Sequence, residues 1–214
     1  MNFLNGFYKE SEREMDEKIR FILASKSPRR KQLLSELGKE MGFEFEIIIR
    51  EVDEELDSGI STVDGVRILA ERKGAAISEM EEYFSSVVIS SDTLVELDGV
   101  ALGKPRDEEE AKSMLRSISN RSHFVRTGIA VAYKGKVYSG TASTEVVFSE
   151  ICESEISKYV ESGEPMDKAG AYGIQGYIGK FVKEYIGEFD TVVGLNLTLT
   201  RKLILEALGG EGIE

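Results

Sequence analysis

Short, wholly apolar runs that alternate with stretches of helical period constrain this chain more than any other feature. Arg20-Phe21-Ile22-Leu23-Ala24 reads as a buried strand, and Ser27-Pro28 just after it offers an N-cap and a first helical position. The helix that follows turns Leu33, Leu34 and Leu37 inward and is expected to stop at Gly38. Phe43 to Ile49 reads as a second strand. Val66, Leu69, Ala70, Ile77 and Met80 then mark a helix from about 62 to 83. Ser86 to Ile89 is a third buried strand, expected to end in Ser90-Ser91-Asp92-Thr93. Asp107 caps a helix with Glu108, Glu109 and Glu110 in its first turn. Strands follow near 124–134, 136–141 and 143–149, then a helix near 153–162, a glycine-rich loop over 169–179 and a last helix near 196–208. Interleaved helices and strands with hairpins in the middle predict an α/β fold with a mixed sheet.

The 214-residue length suits one domain or two small lobes sharing a cleft. Residues 1–18 are mostly polar and read as an N-terminal extension, leaving 19–214 as the folded unit. A formal net charge of −12 disfavours nucleic acid as a partner, because neutralising a polyanion needs a concentrated basic surface. A local basic pocket for one small anion is compatible with it. No apolar run reaches the roughly 18–20 residues that cross a membrane, and no secretory pattern opens the chain. Cys152 is the single cysteine, so no intrachain disulfide can form. Together these features predict a cytoplasmic protein. One histidine, His123, and one cysteine argue against a Cys/His zinc site. Oxygen ligands are abundant, which favours a hard cation such as Mg²⁺.

Three places carry chemistry, each with a plainer alternative. The turn Ser25-Lys26-Ser27-Pro28-Arg29-Arg30 opens a helix, where unpaired N–H groups and the dipole favour a phosphate. It equally suits a Ser-Pro cap with solvated arginines. Asp92, at the end of an apolar strand, is placed to bind a metal or deprotonate a water, or else to close a turn. Lys73 falls on the line of Val66, Ala70 and Ile77 at ~100° per residue, inside an apolar stripe. Either its stem snorkels along the core edge or its ammonium faces an anion. The run Glu51 to Asp57 reads as a solvated face that could lend one carboxylate to a metal at Asp92. Lys104 sits on a loop, and His123 reads as structural. Gly176-Tyr177-Ile178-Gly179-Lys180 lacks the spacing and terminal hydroxyl of a P-loop. In Glu164 to Gly176, glycines at 170, 173 and 176 allow close backbone approach to a ligand, and Gln175 offers a donor and an acceptor for a base edge. A tight loop without a ligand is the plainer reading.

Taken together, Ala24 to Arg30 with Leu33-Leu34, Val52-Asp53-Glu54, Leu69-Ala70 with Lys73, Ser91-Asp92-Thr93, Gly103 to Asp107, Arg121-Ser122-His123 and Glu164 to Gly176 resemble the Maf family of nucleotide pyrophosphatases. The resemblance covers roughly residues 20–208. It implies an elongated mixed-sheet α/β fold with a central cleft between two lobes, similar to inosine-triphosphate pyrophosphatases. It implies hydrolysis of a nucleoside triphosphate to its monophosphate and pyrophosphate with a divalent metal (Mg, Mn or Co). By motif position Asp92 is the proton acceptor, Glu54 and Asp92 hold the metal, and Arg29, Arg30, Lys73 and Lys104 take the phosphates. Ser25 and Ser27 fit phosphate contacts, and Lys168 falls within the substrate-binding segment. Arg29, Thr93 and Gln175 occupy the positions that select the base and resemble the dTTP/UTP branch. A homodimer is compatible with the family. Against the family pattern, Lys26 replaces a smaller residue, Gly74 an alanine, Asn120 a glycine and Asn196 a proline. Three rivals stand beside this reading: a sibling acting on 7-methyl-GTP, a nucleotide-binding regulator of septation that needs no catalysis, and a structural α/β protein whose motifs only shape the fold.

Overall fold

In the computed structural model, which describes residues 19–209, the chain is built on one seven-stranded mixed sheet. The proposed extension, residues 1–18, and the last five residues lie outside the described residues. The strands are β1 (Phe21–Leu23), β2 (Phe45–Ile47), β3 (Val87–Leu97), β4 (Val100–Leu102), β5 (Ser122–Tyr133), β6 (Lys136–Phe148) and β7 (Val182–Ile186). Their order is β2-β1-β3-β5-β6-β7, with β4 paired to the far end of β3. Only β1–β2 and β1–β3 pair in parallel. The helices are α1 (Pro28–Met41), α2 (Thr62–Ser78), α3 (Glu108–Ile118), α4 (Glu153–Glu161), α5 (Phe189–Val193) and α6 (Leu197–Ala207).

The sequence places most of these boundaries through their caps. Ser27 accepts from Arg30 N, Ser61 from Asp64 N, Asp107 from Glu110 N and Asn196 from Leu199 N. Asn196 is thus an N-cap, a role the side-chain oxygen fills and proline cannot. Asn120 sits at φ 55°, a left-handed position that asparagine tolerates. Helix α1 does not stop at Gly38. It runs on to Met41 and ends at Gly42, whose φ of 79° forms the left-handed cap. Gly38 is buried, and a Cβ there would lie 2.7 Å from the Phe43 carbonyl oxygen.

Other expectations change where tertiary pairing overrides local signals. The strands expected at 136–141 and 143–149 form one strand, because β6 pairs with β5 without interruption from Lys136 to Val147. The second strand shrinks to Phe45–Ile47, although Phe43 stacks on Phe21 with ring centroids 4.1 Å apart. The helix expected to reach residue 83 ends at Ser78, followed by a short 3₁₀ turn at Glu81–Tyr83. The glycine-rich loop is a series of 3₁₀ turns.

Apolar packing separates the two ends of the sheet. Leu34 and Leu37 of α1 and Leu203 and Ile204 of α6 cover one face against Ile89 and Val131. Ile77 of α2 covers the opposite face against Ile22 and Val88. At the other end, Leu115 and Ile118 of α3 and Ile156 and Tyr159 of α4 pack on Val125, Val146 and Phe148.

Helix α2 approaches the sheet closely at two glycines. Gly128 in β5 leaves no room for a Cβ beneath the Val66 carbonyl and Arg67 N of α2. Gly74 of α2 faces Ser90, whose hydroxyl donates to the Ala70 carbonyl at 2.6 Å. A Cβ at Gly74 would meet only side-chain atoms of Ser90, whereas at Gly128 it would meet main chain.

Candidate active site

Strand β3 changes neighbours along its length. Residues Val87–Ile89 pair with β1, and Val95–Leu97 pair with β4, on the same side. Between them Ser90 to Leu94 have no strand on that side, while β5 continues opposite them, with Asp92 against Gly128 and Thr93 against Thr127. Asp92 is therefore not at a strand end as expected; the strand that ends there is β1. The result places the carboxylate on an open sheet edge where two neighbours stop, the kind of position where ligands collect in α/β sheets.

This gap forms the floor of a cleft of about 1210 Å³, lined on one side by Ser25 to Arg30 and on the other by Gly103, Lys104 and residues of Glu164 to Gly176. Seven lysine or arginine side chains and five carboxylates line it. A chain of net charge −12 thus concentrates positive charge here, as binding a small polyanion requires. A shallower groove of about 470 Å³ between β4 and α3 offers less: there Arg121 is paired with Asp98 at 2.7 Å.

The lysine within the apolar stripe of α2 faces anions. Lys73 Nζ lies 2.5 Å from Asp92 Oδ1 and 2.7 Å from Glu54 Oε1. Asp92 and Lys73 are largely buried, with side chains 12% and 17% exposed, while Glu54 is half-exposed. The bonded ammonium, helped by the charges of Lys104 and Arg30, holds Glu54 below the usual carboxylate range against the opposing effect of burial. Alternation along β3 turns Ser90 and Asp92 toward α2, and Ser91 and Thr93 toward α1 and the segment around Gly194.

The two arginines of the first turn have different surroundings. Arg30 donates from Nε to the Gly194 carbonyl (2.9 Å), from Nη1 to the Ser91 carbonyl (2.7 Å) and Ser25 Oγ (3.4 Å), and from Nη2 to Thr93 Oγ1 (3.1 Å). Four of its five N–H groups are committed inside the protein. By binding the Ser91 carbonyl it also replaces the strand neighbour that β3 lacks at that point. Arg29 and Lys104 have no hydrogen-bond or ion-pair partner among the described residues, and both line the cleft. Lys168 is largely spent within its own loop, donating to the Glu164 carbonyl at 2.5 Å and to Asp167 Oδ1 at 2.6 Å.

Thr93 belongs to a hydroxyl chain whose direction is fixed. Thr127 Oγ1 donates to the Thr191 carbonyl at 2.7 Å, so in its 3.1 Å contact with Thr93 it must accept. Thr93 therefore donates to Thr127, accepts from Arg30, and keeps only a lone pair for a ligand. Ser25 Oγ accepts from Ser27 N (3.2 Å) and Arg30, leaving its own proton available, and Ser27 Oγ is used as the helix cap.

Gln175 lines the cleft and is exposed, and its amide has no partner among the described residues. The neighbouring glycines serve the chain's own side chains: Gly173 gives room to Lys168, Gly176 to Glu164 and Gly170 to Val95. His123 lies apart from the cleft chemistry, buried, with Nε2 2.7 Å from the Tyr172 hydroxyl. Thr127, Gly128 and Gly194 were missed by the sequence reading. The usable signal was a glycine inside an otherwise apolar strand, which marks a close backbone approach.

Residues 20–207 match the family described as Maf-like protein. The chain belongs to the Maf family. A dTTP/UTP pyrophosphatase of Bacillus velezensis is 43% identical over 187 residues, 87% of this chain and 96% of the relative. A protein of the same name from Bacillus cereus is 45% identical over 185 residues, 86% and 94% of the two chains. Another, from Shewanella denitrificans, is 42% identical over 186 residues, again 86% and 94%. Among solved structures, a nucleoside-triphosphatase (dITP/XTP pyrophosphatase) from Mycobacterium abscessus aligns over 89% of this chain and 94% of its own, at 15% identity and a TM-score of 0.43. Among the described residues no helix is long and apolar enough to cross a membrane.

Proposed function

We propose that this Maf-family chain is a metal-dependent nucleoside triphosphate pyrophosphatase that hydrolyses dTTP and UTP to the monophosphate and pyrophosphate. The observation that carries the reading is the Glu54–Lys73–Asp92 cluster on the open edge of β3, facing a turn and a loop that present Arg29 and Lys104. The names of relatives at 42–45% identity support the choice of reaction and substrate.

In this reading the triphosphate lies between the Ser25–Arg30 turn and Lys104. Arg29, Lys104 and the Ser25 hydroxyl contact its oxygens, and the fixed Arg30 keeps the turn in place. Water attacks the α-phosphorus, and the bond from that phosphorus to the α–β bridging oxygen breaks. Asp92 Oδ1 is held by Lys73, so Oδ2 accepts the proton of the attacking water. Lys73 balances charge where two carboxylates meet a polyanion. Glu54 and Asp92 converge on the Lys73 ammonium, and the chemistry of this donor pair fits a hard divalent cation, since Mg²⁺ is commonly held by one or two carboxylates plus substrate phosphates. When bound there, Mg²⁺, Mn²⁺ or Co²⁺ would supply charge neutralisation at the phosphates. Gln175 reads the base edge, and Thr93, acceptor-only toward a ligand, complements a donor on the substrate.

The test is pyrophosphate release from dTTP, UTP, CTP and 7-methyl-GTP with each metal, in wild type and Asp92→Asn. The reading expects turnover of dTTP and UTP, and a loss of roughly 10²–10⁴-fold in the variant, the range of a general base. Absence of turnover with any triphosphate, or a variant as active as wild type, would overturn it.

A further inference from the structure

The acidic segment that carries Glu54 has almost no structure of its own. Residues 48–60 form neither helix nor strand, and most of them are exposed. Yet Glu54 must keep its carboxylate beside Asp92. Helix α2 supplies the hold through consecutive side chains. Lys73 binds the Glu54 carboxylate, while Arg72 Nη1 donates to the Asp53 carbonyl at 3.1 Å and to the Glu55 carbonyl at 2.6 Å. The two acceptors flank Glu54 on either side. Asp53 helps to shape the turn by accepting Glu55 N at Oδ1 (2.9 Å). The backbone thus bends around Glu54, with both neighbouring carbonyls on one guanidinium nitrogen and the side chain on the adjacent ammonium. Leu56, packed over Gly65 nearer the start of α2, adds a third point of attachment.

We propose that Arg72 is a positioning residue, which sets Glu54 relative to Asp92 and so fixes how tightly the site takes a divalent cation. The proposal rests on the reading above, in which Glu54 and Asp92 hold that cation. Arg72 is not among the residues that line the cleft. It acts on the main chain at both sides of one ligand, and partners that orient metal ligands in this way typically control 10–100-fold of metal affinity. A lysine ammonium carries enough donors for both carbonyls but lacks the reach and the fixed plane of the guanidinium.

The experiment titrates Mn²⁺ into the full chain saturated with the non-hydrolysable α,β-methylene-dTTP, following free Mn²⁺ by electron paramagnetic resonance. Wild type, Arg72→Met, Arg72→Lys and Glu54→Gln are compared, with thermal melts of each. The expected result is Mn²⁺ binding weakened about 10–100-fold in Arg72→Met, by less in Arg72→Lys, and strongly in Glu54→Gln. Melting temperatures should be close to wild type, because Arg72 and Glu54 belong to none of the apolar cores and only Ile48 of the segment packs against one. If Arg72→Met folds poorly, Arg72→Lys carries the comparison. Weakened binding in Glu54→Gln with wild-type affinity in both Arg72 variants overturns the role of Arg72 and leaves the site intact. Wild-type affinity in Glu54→Gln overturns the ligand reading itself, and the role of Arg72 with it.

Discussion

Replacing Gly128 with alanine tests the contact that brings Lys73 over Asp92. A Cβ at this position would lie 2.6 Å from Arg67 N and closer still to the Val66 carbonyl, whereas ordinary contact begins at 3.4 Å. Both obstructing groups are main chain, so no side chain can swing away. Relief requires α2 to lift from β5 by about 1 Å or the strand to buckle; overpacking of this kind costs roughly 1–3 kcal/mol. Against it, removing a glycine from the unfolded chain would add only about 0.4–1 kcal/mol of stability. The clash should win, giving a net loss of about 1 kcal/mol and a melting temperature lower by roughly 2–4 °C. Because α2 also carries Lys73, a displacement near 1 Å should cut kcat by about 10²-fold. Urea unfolding and steady-state kinetics on dTTP measure both. Gly74→Ala is the matched control: its Cβ would meet the Ser90 hydroxyl at 2.8 Å, which can rotate. The helix propensity gained, about 1 kcal/mol, roughly offsets the lost hydroxyl bond. A Gly128→Ala protein as stable as wild type or more so, with unchanged kcat, would refute the packing argument.

Two further outcomes follow from the same geometry. Arg30→Met should lower stability by about 2 kcal/mol, since it leaves the buried Ser91 carbonyl without that donor while the Gly194 carbonyl keeps the Ser91 hydroxyl; Arg29→Met should leave stability within about 0.5 kcal/mol and raise KM, and equal effects of the two changes on the melting temperature would contradict the division of roles. Burial pushes His123 from its ordinary 6.5 down to about 4, so between those values the unfolded chain binds a proton that the folded chain refuses; stability attributable to His123 is present above pH 6.5 and falls by about 3 kcal/mol as pH drops to 4, and a His123→Gln protein with the same stability-versus-pH slope over that window would exclude the effect.

Local chemistry made much of the fold legible. Ser27, Asp107 and Asn196 all begin helices where their side chains accept from the backbone, and the apolar runs at Phe21–Leu23 and Val87–Ile89 are paired buried strands. What the sequence could not disclose depends on neighbours distant along the chain. Whether β3 stops at Ile89 is decided by β5, which pairs with it through Glu96. The edge strand β7 is short and largely exposed, and helix α5 has only five residues, so neither shows a period. In the site, Lys73 announced itself by interrupting an apolar stripe, and Asp92 by ending an apolar run. Arg30 looked no different from Arg29, because its acceptors at Ser91 and Gly194 are 61 and 164 residues away. The hydroxyl chain through Thr127 left no local mark for the same reason.

The proposed reaction turns on attack of water at the α-phosphorus in the cleft over Asp92. Hydrolysis of dTTP in ¹⁸O-water, with the products resolved by mass spectrometry, tests it most directly. One ¹⁸O is expected in dTMP and none in pyrophosphate. Label in pyrophosphate, or release of dTDP with labelled phosphate, would contradict it.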